Sequence, residues 1–467
     1  MTDKKQLVIV GAGSGGLAAA VSAKENGIDD ILIIEREKMS GGILNQCIHD
    51  GFGLIRYGQA LTGPEYAHRL WQDVRRMQIE VRTNTMVTGF FADKKLRLCS
   101  PEGVREIQAQ AVIFATGCRE RTRGSLRIAG SRPAGIFTAG SAQNLVNLKN
   151  MMPGKKVLIL GSGDIGLIMA RRLTLEGAQV AGVFEIMGHT GGLERNVCQC
   201  LMDYDIPFFL RRTVTQIHGK KRIEKVTTTG VDESCHPVAG TEKEYACDTL
   251  ILSAGLIPEN EIIKKAGIRT DPVSQGAVTD EYLQTGIPGV FVCGNARKVL
   301  DLADTVSAEG ACAGKNAACY LSGRNMEPLQ HTEHPQLPKG VPQPGRITCT
   351  VCPRGCHLKA ESTDGHDSVI KGYACPRGLD YGKRELIHPA RILTTTVKME
   401  NGMLLPVKSR EPVAKEQLLS VSKELKTIVL PDGPYTCGQT VMLAGRAFVA
   451  GQDVEAGERL WKKDCMH

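Results

Sequence analysis

The sequence predicts an α/β chain of two parallel sheets buried on both faces, followed by a smaller β-rich module. Three observations lead there. Two strand–glycine loop–helix–strand units lie about 150 residues apart. Further short apolar strands end in small residues at AVIFATG (111–117), TLILSAG (249–255) and GVFVCGN (289–295). After a proline-rich stretch at 326–345 the texture changes to short β-like runs, turns such as PDG (431–433) and a cysteine cluster.

The first unit runs from QLVIV (6–10) through GAGSGG (11–16) and an alanine-rich helix to about Asn26, then ILIIE (31–35). The second runs from KVLIL (156–160) through GSGDIG (161–166) and a helix to Leu175, then QVAGVFE (179–185). Continuous apolar strands of this length suit a sheet covered on both sides. Gly27 and Gly177 mark the helix ends, since glycine readily takes the left-handed conformation that closes a helix. A helical pattern covers 305–321, and Pro328, Pro335, Pro338, Pro342 and Pro344 then read as a linker.

Composition narrows the classes. The 467 residues allow two to four domains, and 42% hydrophobic content allows sizeable cores. Five apolar residues before the first glycine are too few for a signal-peptide core, and no apolar run reaches membrane-spanning length. A cytoplasmic protein is expected. The net charge of +8 is modest; Arg119, Arg121, Arg123, Arg127 and Arg132 cluster without interleaved aromatics, which suits a solvated loop near an anionic cofactor and not a nucleic-acid surface. Of 16 cysteines, Cys99, Cys247, Cys293, Cys312 and Cys319 read as small buried hydrophobes.

Gly11, Gly13 and Gly16 form G-x-G-x-x-G between a strand and a helix, with Glu35 ending the next strand. The first glycine serves the tight turn, the second lets backbone reach a pyrophosphate, and the third allows helix–strand packing. The carboxylate accepts the ribose hydroxyls, and the helix N-terminus faces the phosphates. Gly161, Gly163, Gly166 and Glu185 repeat the pattern. An acid at Glu185 favours NAD over NADP, because it accepts a free ribose and repels a 2′-phosphate.

The order of GAGSGG with Glu35, ATG at 115–117, GSGDIG with Glu185 and PGVFVCGN at 288–295 resembles the two-dinucleotide-binding-domain flavoproteins of the pyridine nucleotide-disulfide oxidoreductase type. The stretches 41–54, 117–143 and 301–318 look most like the branch of NAD-linked subunits of glycerol-3-phosphate, proline and opine dehydrogenase complexes. The resemblance covers about the first 325 residues. It implies two Rossmann-like domains, the NAD domain (119–247) inserted in a split FAD domain (1–118 and 248–325). It implies FAD on Gly11, Gly13, Gly16, Glu35, Ala115, Thr116, Gly117, Gly294 and Asn295. Asn295 stands where the family usually carries an aspartate that contacts the ribityl chain.

The redox cysteine pair of disulfide-reducing relatives is missing. GGILNQCIHD supplies Cys47 with His49 nearby, and Cys198 with Cys200 makes a C-x-C whose disulfide ring would be strained. Cys349, Cys352 and Cys356 form C-x-x-C-x-x-x-C, with Cys375 later. Three thiolates in a tight loop plus one distant suit a 4Fe–4S cluster; zinc is the alternative. CPRG occurs at 352–355 and 375–378, where Arg354 and Arg377 place positive charge and the glycines let amides approach sulfur. His357 is poorly placed to ligate the same metal, and Cys437 and Cys465 lack partners at ligand spacing. The region 346–467 looks like an uncharacterised domain found with flavoproteins of this branch.

These parts predict an FAD-dependent oxidoreductase. Electrons would pass between NAD(H), flavin and the cluster, in an assembly with a glycerol-3-phosphate dehydrogenase-like subunit. Two rivals stand: a self-contained reductase of a peroxide, persulfide or disulfide using Cys47, and a scaffold subunit with structural zinc.

Overall fold

The structure, a computed structural model, describes residues 3–330, 337–342, 345–363 and 367–455. Pro335, Pro344 and Cys465 lie outside the described residues. The chain divides into two compact units.

The first unit comprises Met1–Cys47, Phe52–Arg119 and Leu256–Glu333. Its sheet places strand Asp3–Val10 between Ile31–Ile34 and Gly103–Phe114, all parallel, with Glu80–Arg82 beyond Ile31–Ile34 and Val290–Val292 also paired to Gly103–Phe114. Leu7, Val8 and Ile9 have no solvent exposure, as expected of a strand covered on both faces. An antiparallel pair, Met86–Phe90 and Lys95–Ser100, extends this sheet. Cys99 departs from expectation here: it is exposed, because strand alternation turns Leu96 and Leu98 inward and Cys99 out.

Helix Ser14–Glu25 crosses helix Ala303–Ser322 at backbone contact. A side-chain carbon built on Gly310 would sit 2.1 Å from the Gly15 carbonyl oxygen, and one on Gly314 2.1 Å from that of Ala19. The small residues of AEGACAGKNAA thus set how closely the long helix approaches the helix that opens from the first glycine loop.

The second unit comprises Ile48–Gly51, Glu120–Gly255 and His334–His467. Its five-stranded parallel sheet has the order Ile136–Thr138, Thr249–Leu252, Lys156–Leu160, Gln179–Phe184, Phe208–Phe209. Beside it stands a four-stranded sheet that includes the antiparallel strands Arg212–Gly219, Ile223–Gly230 and Lys243–Ala246. The C-terminal region adds two antiparallel-rich sheets, one around His357–Thr363 and one around Thr394–Met399 and Leu404–Ser409. It also holds two helices the sequence reading did not place, Pro376–Ile387 and Leu418–Leu425.

Helix Asp164–Leu175 joins the second glycine loop to this C-terminal region. Arg172 is 4% exposed and bonds Asn147 Oδ1 (2.8 Å), Thr395 Oγ1 (3.2 Å) and Thr396 Oγ1 (3.1 Å). Arg171 donates to the Ile392 carbonyl (3.0 Å). The helix's last carbonyl, on Leu175, accepts from Ser422 Oγ (3.0 Å) and Lys426 Nζ (2.8 Å). A cation at a helix C-terminus is also favoured by the helix dipole.

Candidate nucleotide sites and cysteine cluster

Both glycine loops fold the same way. Gly11 has φ +104° and Gly161 +98°, values that only glycine adopts cheaply. A side-chain carbon on Gly11 would lie 2.5 Å from the Ala115 oxygen, and on Gly161 2.2 Å from the Ser253 oxygen. On Gly16 and Gly166 it would strike the Gly11 and Gly161 carbonyls, at 1.8 Å and 2.8 Å. Gly13 is different: nothing lies within 4 Å of the built carbon, and at Gly163 the nearest atoms are at 3.7 Å. Each is the N-cap of its helix and offers no side-chain cap, so the first-turn amides have no side-chain acceptor from the cap residue. A phosphate at either place would meet the N-terminal end of a helix, where backbone N–H groups and the dipole favour an anion.

The acids are fixed by the loops they serve. Glu35 accepts from the Ala12 amide (Oε2, 2.8 Å) and the Glu37 amide (Oε1, 2.9 Å). A carboxylate offers about four acceptor positions, so Glu35 keeps capacity for both hydroxyls of a ribose. Glu185 accepts from the Ser162 amide (2.9 Å) and hydroxyl (2.6 Å) at Oε2, and from the Met187 amide (2.9 Å) at Oε1. The extra Ser162 hydroxyl leaves it capacity for one. Asp164, in the first turn of the second helix, is drawn aside by the Leu193 amide and Asn196 Nδ2, both at 2.8 Å.

In the first unit, Ala115 N–H donates to the Val10 carbonyl (2.9 Å), Thr116 Oγ1 to that of Glu259 (3.0 Å), and Gly117 carries φ +72°. The Gly294 amide donates to buried Glu309 (2.9 Å). Asn295 accepts from the Leu300 amide (3.0 Å) and donates through Nδ2 to Cys118 Sγ (3.5 Å). An aspartate could not make that last bond, so the asparagine suits a neighbouring thiol. Arg119 pairs with Glu259 and Glu261 at 3.0 and 2.6 Å.

Cys47 closes a short 3-10 turn, Gly42–Gln46, and its carbonyl accepts from the Gly63 amide (2.8 Å). Burial pushes its thiol up to about 12. His49 is pushed down to about 4, chiefly by burial, with the charges of Arg195 and Arg171 adding to the effect and Asp50 opposing it. Both shifts oppose a thiolate–imidazolium pair.

The four cysteines 349, 352, 356 and 375 interact. Burial raises the Cys349 thiol to about 11, and the charges of Cys352, Cys356 and Cys375 add to it. The Cys349 amide donates to the Cys356 carbonyl (2.9 Å), closing the loop. Cys375 is the N-cap of helix Pro376–Ile387, with Pro376 at the first helical position, so the second CPRG is a helix start. Among the described residues no group of three or more His, Cys, Asp or Glu is placed to hold a metal ion.

The loop is anchored by a residue the sequence did not flag. Glu194 is 6% exposed; it accepts from Thr348 Oγ1 (2.6 Å) and lies 2.8 Å from His357 Nε2, and these residues adjoin Cys349 and Cys356. Asp203 and Glu385 hold Arg391 at 2.7 and 2.6 Å. Nothing local marks these acids, because each partner lies far along the chain or on another element.

Known proteins bear on this arrangement. Residues 5–310 match the family described as pyridine nucleotide-disulphide oxidoreductase, and residues 376–445 match one described as a protein of unknown function (DUF1667). The second span begins just after Cys375. Hydrogen cyanide synthase subunit HcnB of Pseudomonas protegens is 26% identical over 314 residues, covering 62% of this chain and 65% of the relative. The CoA-dependent NAD(P)H sulfur oxidoreductase of Pyrococcus abyssi is 25% identical, with 62% of each chain covered. This chain thus spans just under two thirds of the length of these relatives. Thioredoxin reductase of Lactococcus lactis shares the fold at a TM-score of 0.57 and 22% identity, over 68% of this chain and 99% of its own. No described helix is long and apolar enough to cross a membrane. The chain belongs to the pyridine nucleotide-disulphide oxidoreductase family, a family of FAD-dependent NAD(P)H oxidoreductases.

Proposed function

We propose that the first loop holds FAD, the second NAD(H), and Cys349, Cys352, Cys356 and Cys375 a 4Fe–4S cluster, making the chain the electron-transfer subunit of a dehydrogenase complex. The observation that carries this reading is the repeated closure of both loops by a carboxylate, with open space over Gly13 and no close contact at Gly163. Bound there, FAD would supply a group that takes electrons in pairs and releases them singly, which matches a one-electron cluster.

The chain's own residues bind and orient. Amides at the two helix starts receive the pyrophosphates, Glu35 holds both hydroxyls of one ribose, and Glu185 holds one hydroxyl of the other. Glu194 fixes the cysteine loop through Thr348 and His357. A glycerol-3-phosphate dehydrogenase-like flavoprotein is the proposed partner. Support comes from the sequence stretches 41–54, 117–143 and 301–318, and from a relative that is itself named as a subunit. A cytoplasmic location and a multi-chain assembly belong to the same proposal.

An absorption spectrum of anaerobically purified protein, before and after NADH, tests it together with iron, sulfide and zinc analysis. Flavin bands bleached by NADH over an iron–sulfur shoulder that also changes are expected. Flavin left oxidised by NADH would sink the relay; zinc without iron would exclude the cluster.

The second reading, reduction of a sulfur or peroxide substrate at Cys47, is favoured by the Pyrococcus abyssi relative's named activity. The raised pKa of the Cys47 thiol weighs against it.

A further inference from the structure

Glu185 has one acceptor position left after Ser162 and Met187 are served. Contacts of this carboxylate therefore cover only part of a ribose, and the choice between a free 2′-hydroxyl and a 2′-phosphate depends also on what lies beyond it. A cavity of ≈ 230 Å³ begins there, lined among others by Met187, Gly188, His189, Arg211, Asp232 and Glu233. Whole-ligand pockets run to roughly 300–1,000 Å³, so this one suits one end of a dinucleotide.

Arg211 is held in place at both backbone groups. Its amide donates to the Met187 carbonyl (3.1 Å), its carbonyl accepts from Val231 N–H (2.9 Å), and its φ is +49°. Its guanidinium lies over Gly188, where a built side-chain carbon would be 3.1 Å from Cζ. Glu233 Oε1 stands 3.6 Å from that guanidinium. The turn carrying Glu233 is tied by Asp232, which accepts the Ser234 and His236 amides at 2.9 Å. Among the described residues, the guanidinium that lines this cavity is thus paired with an acid, and a second acid lies beside it.

We infer that Glu233 is a specificity-determining residue: by occupying Arg211 it makes the adenosine end of the second nucleotide site reject a 2′-phosphate. This rests on the reading that the second loop takes the nicotinamide nucleotide. The pair is well exposed, with side-chain exposures of 47% and 93%, so screening limits the effect and replacing Glu233 leaves the fold intact.

Calorimetric titration of the full-length holoprotein with ADP-ribose and with 2′-phospho-ADP-ribose tests it directly, alongside anaerobic bleaching of the flavin by NADH and NADPH. The wild type should prefer the unphosphorylated ligand. Glu233→Gln should tighten 2′-phospho-ADP-ribose roughly fivefold or more and leave ADP-ribose within about twofold. Adding Arg211→Ala should erase that gain. An unchanged affinity in Glu233→Gln, or a gain that survives loss of Arg211, overturns the inference alone. A wild type that binds neither ligand overturns the second-loop reading and the inference with it.

Discussion

Cys47 and Gly13 show how residue-scale facts separate the readings. A thiol raised to about 12 is neutral throughout the physiological range, so Cys47 should alkylate slowly with iodoacetamide at every pH from about 7 to 9, with a rate that climbs only toward its own pKa. Cys47→Ser should leave NADH-driven dye reduction within about twofold; loss of that activity would instead support the sulfur-reductase reading. Gly13→Val puts side-chain volume into the open space above the first loop, where the added Cβ meets nothing within 4 Å. Folded protein with little bound flavin is the expected product, read as the ratio of flavin to protein absorbance. Gly11, Gly16, Gly161 and Gly166 were legible in the sequence because a left-handed φ or a backbone contact demands glycine there, and Glu35 because it ends the strand after the loop. Cys99 misled because its apolar neighbours hid the strand alternation that turns it outward.

Elements carry the next level. Helix Ala303–Ser322 touches backbone of the first loop's helix through Gly310 and Gly314. Gly314→Val has no flexible side chain to push aside, since it meets the Ala19 carbonyl. It should destabilise by about 1–3 kcal/mol or more and loosen flavin, seen as a lower Tm that extra FAD partly restores. Glu194→Ala strips Thr348 and His357 of a buried acceptor and should cost about 1–3 kcal/mol. Faster proteolysis within 345–363 and a changed metal content would report it; proteolysis as slow as wild type would count against the anchoring role. Helix Pro376–Ile387 escaped the sequence reading because CPRG was weighed as ligand chemistry, although proline at the first helical position is equally a start signal. The buried arginines 171 and 172 gave no signal, since their partners at 392, 395 and 396 lie over 200 residues away.

At the scale of the molecule, the second unit unites the second nucleotide loop with the C-terminal region, and Leu175 belongs to the same apolar cluster as Leu393, Val397, Leu418 and Phe448. Ending the chain before residue 346 should therefore expose that cluster and yield aggregated or poorly soluble protein, measured by size-exclusion chromatography, and a monodisperse product would contradict it. The grip on helix Asp164–Leu175 also has a consequence for how the chain is made. The C-terminal partners of Arg172 and of the Leu175 carbonyl are synthesised last, at 395–396 and 422–426. At roughly 5–20 residues per second, a ribosome leaves this helix without its cover for roughly ten to fifty seconds. The protein being born thus passes through an interval when a cationic, apolar helix face waits for its lid, and nascent-chain crosslinking should find chaperones there.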